Sequence, residues 1–232
     1  MTGHSSDPEA RPMQDRGPQR QRPVAAVEWL QRVARRIRVP LGFVTAAFYL
    51  YEVVHRAPHH QAITWSLLLV LPGLALRAVA SGTVKKNREL TVAGPYAYTR
   101  NPLYLGSALI AAGFVLALFS WQVALVVVGG FAAIYIPVIA SEERFLRATF
   151  PEFDAYCRLV PRFLPRFTSA KLQKGQGVAP GSAPVTSDAP QGFSLMLYRK
   201  HREYNSAIGV ALIYLSLLFL RPLLELILRE AR

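Results

Sequence analysis

Five apolar stretches, each nearly free of charge and separated by segments rich in Lys and Arg, constrain this chain more than any other feature. They are Val39–Val54, Ala62–Ala80, Leu103–Phe119, Trp121–Ala140 and Ala207–Leu228, the last broken by Arg221, Pro222 and Glu225. Overall composition is less telling, because 52% hydrophobic residues is close to what soluble domains carry. A helix needs roughly 20 mostly apolar residues to cross a bilayer. The third and fourth stretches, divided by little more than Ser120, supply two crossings and read as a tight helical hairpin. The other three are shorter or interrupted, and any one alone also suits a buried core helix. Five together predict an all-α integral membrane protein of about five transmembrane helices, since lipid leaves open strands unsatisfied.

The net charge of +13 would suit nucleic acid, but its placement points elsewhere. Lys and Arg crowd the N-terminal segment, the link between the second and third stretches, and the link between the fourth and fifth. The first link carries only Arg56, and the hairpin tip has no basic residue. That alternation follows the positive-inside rule. It predicts a cytoplasmic N-terminus, two cytoplasmic loops and an external C-terminus, with the basic excess attracted to anionic membrane lipids rather than to nucleic acid.

The chain divides accordingly. Residues 1–23 are polar, Pro/Arg-rich and without an apolar signal region of their own, and are expected to be disordered. Residues 24–38 place Val27, Leu30, Val33, Ala34 and Ile37 opposite Arg32, Arg35 and Arg36, which suits a helix in the membrane interface or a solvated lead-in. Residues 39–167 form the membrane core. A Gly/Pro/Ser-rich linker covers 168–192, and 193–232 hold a cytoplasmic helix and the last span.

Three features are set aside. Cys157, the single cysteine, can form no intrachain disulfide and reads as structural. The GQG of Gly175–Gly177 lies in the linker with no strand before it, so a dinucleotide fingerprint fails on context. His55, His59 and His60 have near-helical spacing, but only Glu52 is near them and no metal site is expected there.

The stretch AGPYAYTRNPLYLG, residues 93–106, is too decorated for a simple membrane entry. Gly94-Pro95 marks a turn. Asn101 is a favoured N-cap and Pro102 a favoured first helical residue, so Asn101 is expected to cap a helix Pro102–Phe119. Its first turn, beside Arg100, is then a ready anion site, with Tyr96, Tyr98 and Tyr104 supplying flat faces with polar tips. Glu142 and Glu143 stand where the fourth stretch meets the cytoplasm, and a tight hairpin brings them near Asn101. Carboxylates at that level mark a candidate functional site; pairing with Arg100, Arg144 or Arg147 is the plain alternative. A helix N-terminus, tyrosine faces and carboxylates together suit S-adenosylmethionine, and in part a nucleotide such as NADPH.

The pattern G-P-Y-x-Y-x-R-N-P-L-Y-x-G at Gly94–Gly106, an apolar hairpin, E-E-x-x-L at Glu142–Leu146 and F-x-x-Y-x-x-x-V-P-R at Phe153–Arg162 resembles the isoprenylcysteine carboxyl methyltransferase family, related to the phospholipid N-methyltransferases. The likeness covers roughly residues 85–165. It implies an integral membrane enzyme using S-adenosylmethionine in a cytoplasmic pocket, in a multi-pass protein of a bacterial inner membrane. By position it implies cofactor contacts from Arg88, Glu89, Leu90, Thr91, Tyr96, Asn101, Pro102, Leu103, Tyr104 and Glu142, to which Arg100 is added as the neighbour of the expected anion site. Glu143 and Tyr104 are the candidate catalytic assistants, with Glu203 a further one.

Two departures matter. Asn101 stands where the family commonly has His, which argues for binding rather than proton transfer. Val138 stands where the eukaryotic prenylcysteine enzymes carry a substrate-binding Arg, which leaves the acceptor open among prenylcysteine, lipid and thiol. The competing readings are a phospholipid N-methyltransferase, an NADPH-dependent sterol-type membrane reductase, and a non-enzymatic membrane scaffold.

Overall fold

The chain is represented by a computed structural model that describes residues 25–56, 59–84, 90–168 and 193–230, with side chains from residue 40 onward. The expected tail, most of the linker, Arg88 and Glu89 lie outside the described residues, as do the side chains of the expected interfacial segment.

The described residues are helical, without strands. Helix α1 (Ala25–His55) runs without a break through both the expected interfacial segment and the first apolar stretch. It is followed by α2 (His60–Thr83), a 3-10 turn (Gly94–Ala97), α3 (Pro102–Leu118) and α4 (Trp121–Thr149). Two short helices, α5 (Phe153–Leu159) and α6 (Leu195–Lys200), precede the last long one, α7 (Tyr204–Glu230).

Among the described residues three helices, α2, α4 and α7, are long and apolar enough to cross a membrane. Helix α3 has 17 residues, short of a full crossing. Its limits are local. Pro102 starts it, and Phe119, at φ 47° in the left-handed region, ends it. Ser120 then caps α4 by accepting from the Val123 amide at 3.4 Å, so a two-residue link makes the tight hairpin. Helix α4 continues nine residues past the apolar stretch and carries Glu142 and Glu143 within it. In α7, Arg221 Nε pairs with Glu225 one turn on at 2.9 Å, which resolves that pair as local.

Although α3 and α4 are joined tightly, α3 packs chiefly on α2, and α4 on α1. Small residues set that choice, because association in lipid depends on close backbone approach. A methyl at Gly106 would lie 2.7 Å from the Gly73 carbonyl oxygen, and one at Gly73 would lie 2.8 Å from that of Gly106. Gly113 faces Val70 and the Ser66 carbonyl in the same way. Gly106→Ala is therefore expected to destabilise by about 1–3 kcal/mol through overpacking, read as a lower thermal midpoint in detergent; Gly129→Ala, which meets open space, is the control.

Two apolar clusters follow. Tyr49, Val53, Ile63, Ala117, Leu118, Val123 and Leu217 are buried together around the hairpin tip. Phe153, Tyr156 and Val160 form the other at the opposite end, backed by Leu90, Val92, Leu146 and Phe150. Outside, Phe43, Trp65, Leu68, Leu125, Ile136 and Phe219 are exposed, the surface expected of helices facing lipid.

Candidate functional site

The decorated stretch 93–106 is held by the other end of the quoted pattern. Gly94 adopts φ +58°, a conformation glycine takes without strain, and a Cβ there would also press on Thr83 at 3.3 Å. The chain then closes the 3-10 turn and runs beside residues 161–166. Arg100 N–H donates to the Pro161 carbonyl at 3.0 Å, and Arg166 N–H to that of Tyr98 at 3.0 Å. Thr99 Oγ1 donates to the Phe163 carbonyl at 2.9 Å. The motifs R-N-P and V-P-R thus form one zipped unit, which spacing alone did not show.

This unit changes the role of Asn101. The residue occupies the N-cap position of α3, but its side chain makes no cap bond. Its Nδ2 donates instead to the Arg162 carbonyl at 2.8 Å. The cap expectation is corrected to that extent: Pro102 sets the helix start with its own fixed φ, and the neighbouring carbonyl competes successfully for the buried amide. The first-turn amides, which have no intrahelical acceptors, are left uncapped by Asn101.

The tight hairpin does bring the acidic pair to this helix end. Tyr104 Oη donates to Glu142 Oε2 at 2.8 Å. Glu143 is engaged differently: Arg100 Nη1 lies 3.3 Å from one carboxylate oxygen and Arg162 Nη2 3.1 Å from the other. Glu143 and Arg100 are largely buried, with side chains 13% and 16% exposed. Arg100 Nη1 also lies 2.9 Å from Cys157 Sγ. Its Nε is buried and has no acceptor among the described residues, an orphan that a buried guanidinium does not usually leave.

A cavity opens at this point, lined by Leu90, Thr91, Tyr96, Arg100 and the Asn101–Tyr104 turn on one side. Glu142, Glu143, Phe145 and Leu146 of α4 line the other, with Phe150, Phe153 and Tyr156 beneath. Its volume is about 150 Å³, and it opens to the outside through a mouth. Burial first, and then the Glu142 carboxylate, push the Tyr96 phenol well above its ordinary range. Burial raises Tyr156 likewise against the opposing Arg100, and Tyr156 Oη donates to the Tyr96 carbonyl at 2.7 Å. Both phenols are donors at neutral pH, not bases.

The described members of the sequence-predicted site therefore share one cavity, except Glu203 and Tyr98, the latter exposed and not among the lining residues. Glu203 is not among its lining residues; it pairs with Arg77, a residue sequence reasoning passed over although it is the lone charge between Gln61 and Val84. The aromatic floor of Phe150, Phe153 and Tyr156 was also missed, although Phe153 and Tyr156 are fixed members of F-x-x-Y.

A second cavity, about 480 Å³, lies between the diverging α3 and α4. Ala108, Ala111 and Ala112 line one wall and Phe131, Ala132 and Tyr135 the other, with Arg162 and Phe163 also on it. Tyr104 meets Tyr135 edge-on at 5.2 Å, and Tyr135 stacks on Phe131 at 4.2 Å, so an aromatic ladder joins the two cavities.

No solved structure matches the chain at a significant level. It is 36% identical over 115 residues to the cobalt-zinc-cadmium resistance protein CzcN of Cupriavidus metallidurans, covering 45% of this chain and 53% of the relative. It is 36% identical over 98 residues to the nickel-cobalt-cadmium resistance protein NccN of Alcaligenes xylosoxydans xylosoxydans, covering 42% of this chain and 46% of the relative. The chain thus spans about half the length of the curated relatives it matches. Residues 65–152, which hold most of α2, the 3-10 turn, α3, α4 and both acidic residues, match the family model of the phospholipid methyltransferases.

Proposed function

We propose that this chain is an integral membrane methyltransferase that uses S-adenosylmethionine and acts on a lipophilic acceptor, of the isoprenylcysteine carboxyl methyltransferase-like kind. The observation that carries the reading is one cavity lined together by the start of α3, by Arg100 and by the Tyr104-held Glu142 carboxylate. The match to the phospholipid methyltransferase model over the same residues supports it.

The donor set fits the cofactor. Its carboxylate suits the first turn of α3 and Arg100; its ammonium and ribose hydroxyls suit Glu142; its adenine suits Tyr96, Phe145, Phe150 or Phe153. The cavity's volume of about 150 Å³ is smaller than the roughly 300–1,000 Å³ common for ligand sites, so a ligand of this size extends beyond it through the open mouth. When bound, S-adenosylmethionine supplies an electrophilic methyl group on its sulfonium. The chain's part is to align and to exclude water. Glu143, with both oxygens on guanidinium groups, orients Arg100 and Arg162 rather than accepting a proton, and Tyr104 fixes the rotamer of Glu142.

The second cavity supports a lipophilic acceptor. It is apolar, joins the first through the Tyr104–Tyr135 ladder, and has Arg162 on its wall. An apolar tail with an anionic or polar head matches that lining; the family model favours a phospholipid, and a prenylcysteine or a thiol remains a candidate. We place the N-terminus and the site on the cytoplasmic side by the distribution of Lys and Arg. Isothermal titration of the protein in detergent with S-adenosylmethionine, S-adenosylhomocysteine and NADPH tests the reading. Binding of the first two is expected; heat with NADPH alone would replace it with the reductase.

A further inference from the structure

Arg77 is the only charge between Gln61 and Val84, in a helix long and apolar enough to cross a membrane. A guanidinium there is costly unless it is paired and its remaining N–H groups are satisfied. The structure satisfies both needs. Arg77 Nε and Nη2 each lie 2.6 Å from Glu203 Oε1, and both side chains are largely buried. Arg77 Nη1 donates to Ser107 Oγ and to the Leu103 carbonyl, the latter at 3.4 Å. Ser206 Oγ donates to the same Glu203 oxygen at 2.9 Å.

The approach of Glu203 is built into the chain. Ser194 N–H donates to the Gly82 carbonyl at 2.9 Å, and His201 Nδ1 lies 2.9 Å from that of Ser81, so α6 docks on the end of α2. Arg202 then takes φ +52°. Its N–H donates to the Arg199 carbonyl at 3.0 Å, and that of Glu203 to the Tyr198 carbonyl at 3.3 Å. This is a Schellman turn with an arginine where glycine is usual. It points Glu203 one helical turn back along α2, from Ser81 to Arg77.

The partners of Arg77 on α3 bear on the site. Leu103 lines the cofactor cavity and Tyr104 beside it holds Glu142. The aliphatic stem of Arg77 crosses Gly106, where a methyl would come within 2.6 Å of its Cγ. We propose that Arg77 is a positioning residue. With Glu203 it locks the first turn of α3 to α2 and ties that turn to the head of α7, so the α6–α7 segment governs the site without lining it. The functional half of this inference rests on the methyltransferase reading; the mechanical half does not.

The test uses the full chain in detergent as Arg77→Met, Glu203→Leu and the double variant. Removing one partner strands a buried charge, whereas replacing both by apolar residues is often neutral. The single variants are therefore expected to lose thermal stability and the double to regain it. Affinity for S-adenosylhomocysteine should nevertheless stay roughly tenfold or more below wild type in the double, because misplacement of a positioned group is costly. In parallel, nitroxides at Tyr98→Cys and Ile208→Cys, in a Cys157→Ser background, report the distance between the site loop and α7. The double is expected to broaden it. A double with restored stability, wild-type affinity and an unchanged distance distribution would show a purely structural pair and overturn the proposal. A broadened distribution in a protein whose wild type binds no S-adenosylhomocysteine would keep the clamp and discard the methyltransferase reading.

Discussion

Glu142→Gln is expected to weaken S-adenosylmethionine binding by about tenfold to a hundredfold, measured by calorimetry on the purified protein, while expression and membrane insertion stay at wild-type levels. Glutamine keeps the length of the side chain and an acceptor for Tyr104, but not the charge. A hydrogen bond to a charged group contributes about 1.5–3 kcal/mol, and about 1.4 kcal/mol is a factor of ten. The fold should be indifferent, because Glu142 is exposed and Tyr104 is the partner it holds by hydrogen bond. Glu143 makes the contrast. Its loss would strand the largely buried Arg100, so Glu143→Gln is expected to reduce stability as well. Unchanged affinity in Glu142→Gln would remove that residue from the site.

Ala108→Phe is expected to lower methyl transfer to a long-chain acceptor by about ten- to a hundredfold in kcat/KM, with cofactor affinity unchanged. The alanine lines the cavity between α3 and α4 and does not line the first cavity, so a ring there fills the space in which the proposed acceptor would sit. Contacts worth one methylene in an apolar pocket are about 1–3 kcal/mol, and a phenyl ring displaces several. Because the ring enters a void, the overpacking that destabilises a filled core is avoided and the thermal midpoint should hold. Tritiated methyl transfer to lipid extracts reads the effect. An acceptor with a short tail should lose far less, and equal losses for long and short tails would show that the cavity does not hold the tail.

Much of this was readable from residue order. Lipid forces helices and apolar length marks them, so α2, α4 and α7 each contain one of the expected stretches. The hairpin followed from the short link at Phe119–Ser120. Asn101-Pro102 fixed where α3 begins, because a proline has one φ and no N–H to lose. The meeting of Asn101–Tyr104 with Glu142 followed from two helix ends emerging on one side. Other features needed distances. Asn101 has the composition of a cap, but the Arg162 carbonyl, brought in by the zipped 161–166 segment, takes its amide. Glu142 and Glu143 are adjacent and chemically identical; only the positions of Tyr104, Arg100 and Arg162 give them different partners.

By itself, then, the sequence determined an all-helical chain with apolar spans, a decorated helix start and an acidic pair facing it, because period, apolar length and turn chemistry act over a few residues. Only the tertiary structure decided that α3 leaves α4 to pack on α2, that a cavity opens between them, and that Arg77 reaches across 126 residues to Glu203. Those outcomes depend on which small residues allow two backbones to touch and on where a buried charge finds its partner. Neither is encoded at any fixed spacing along the chain.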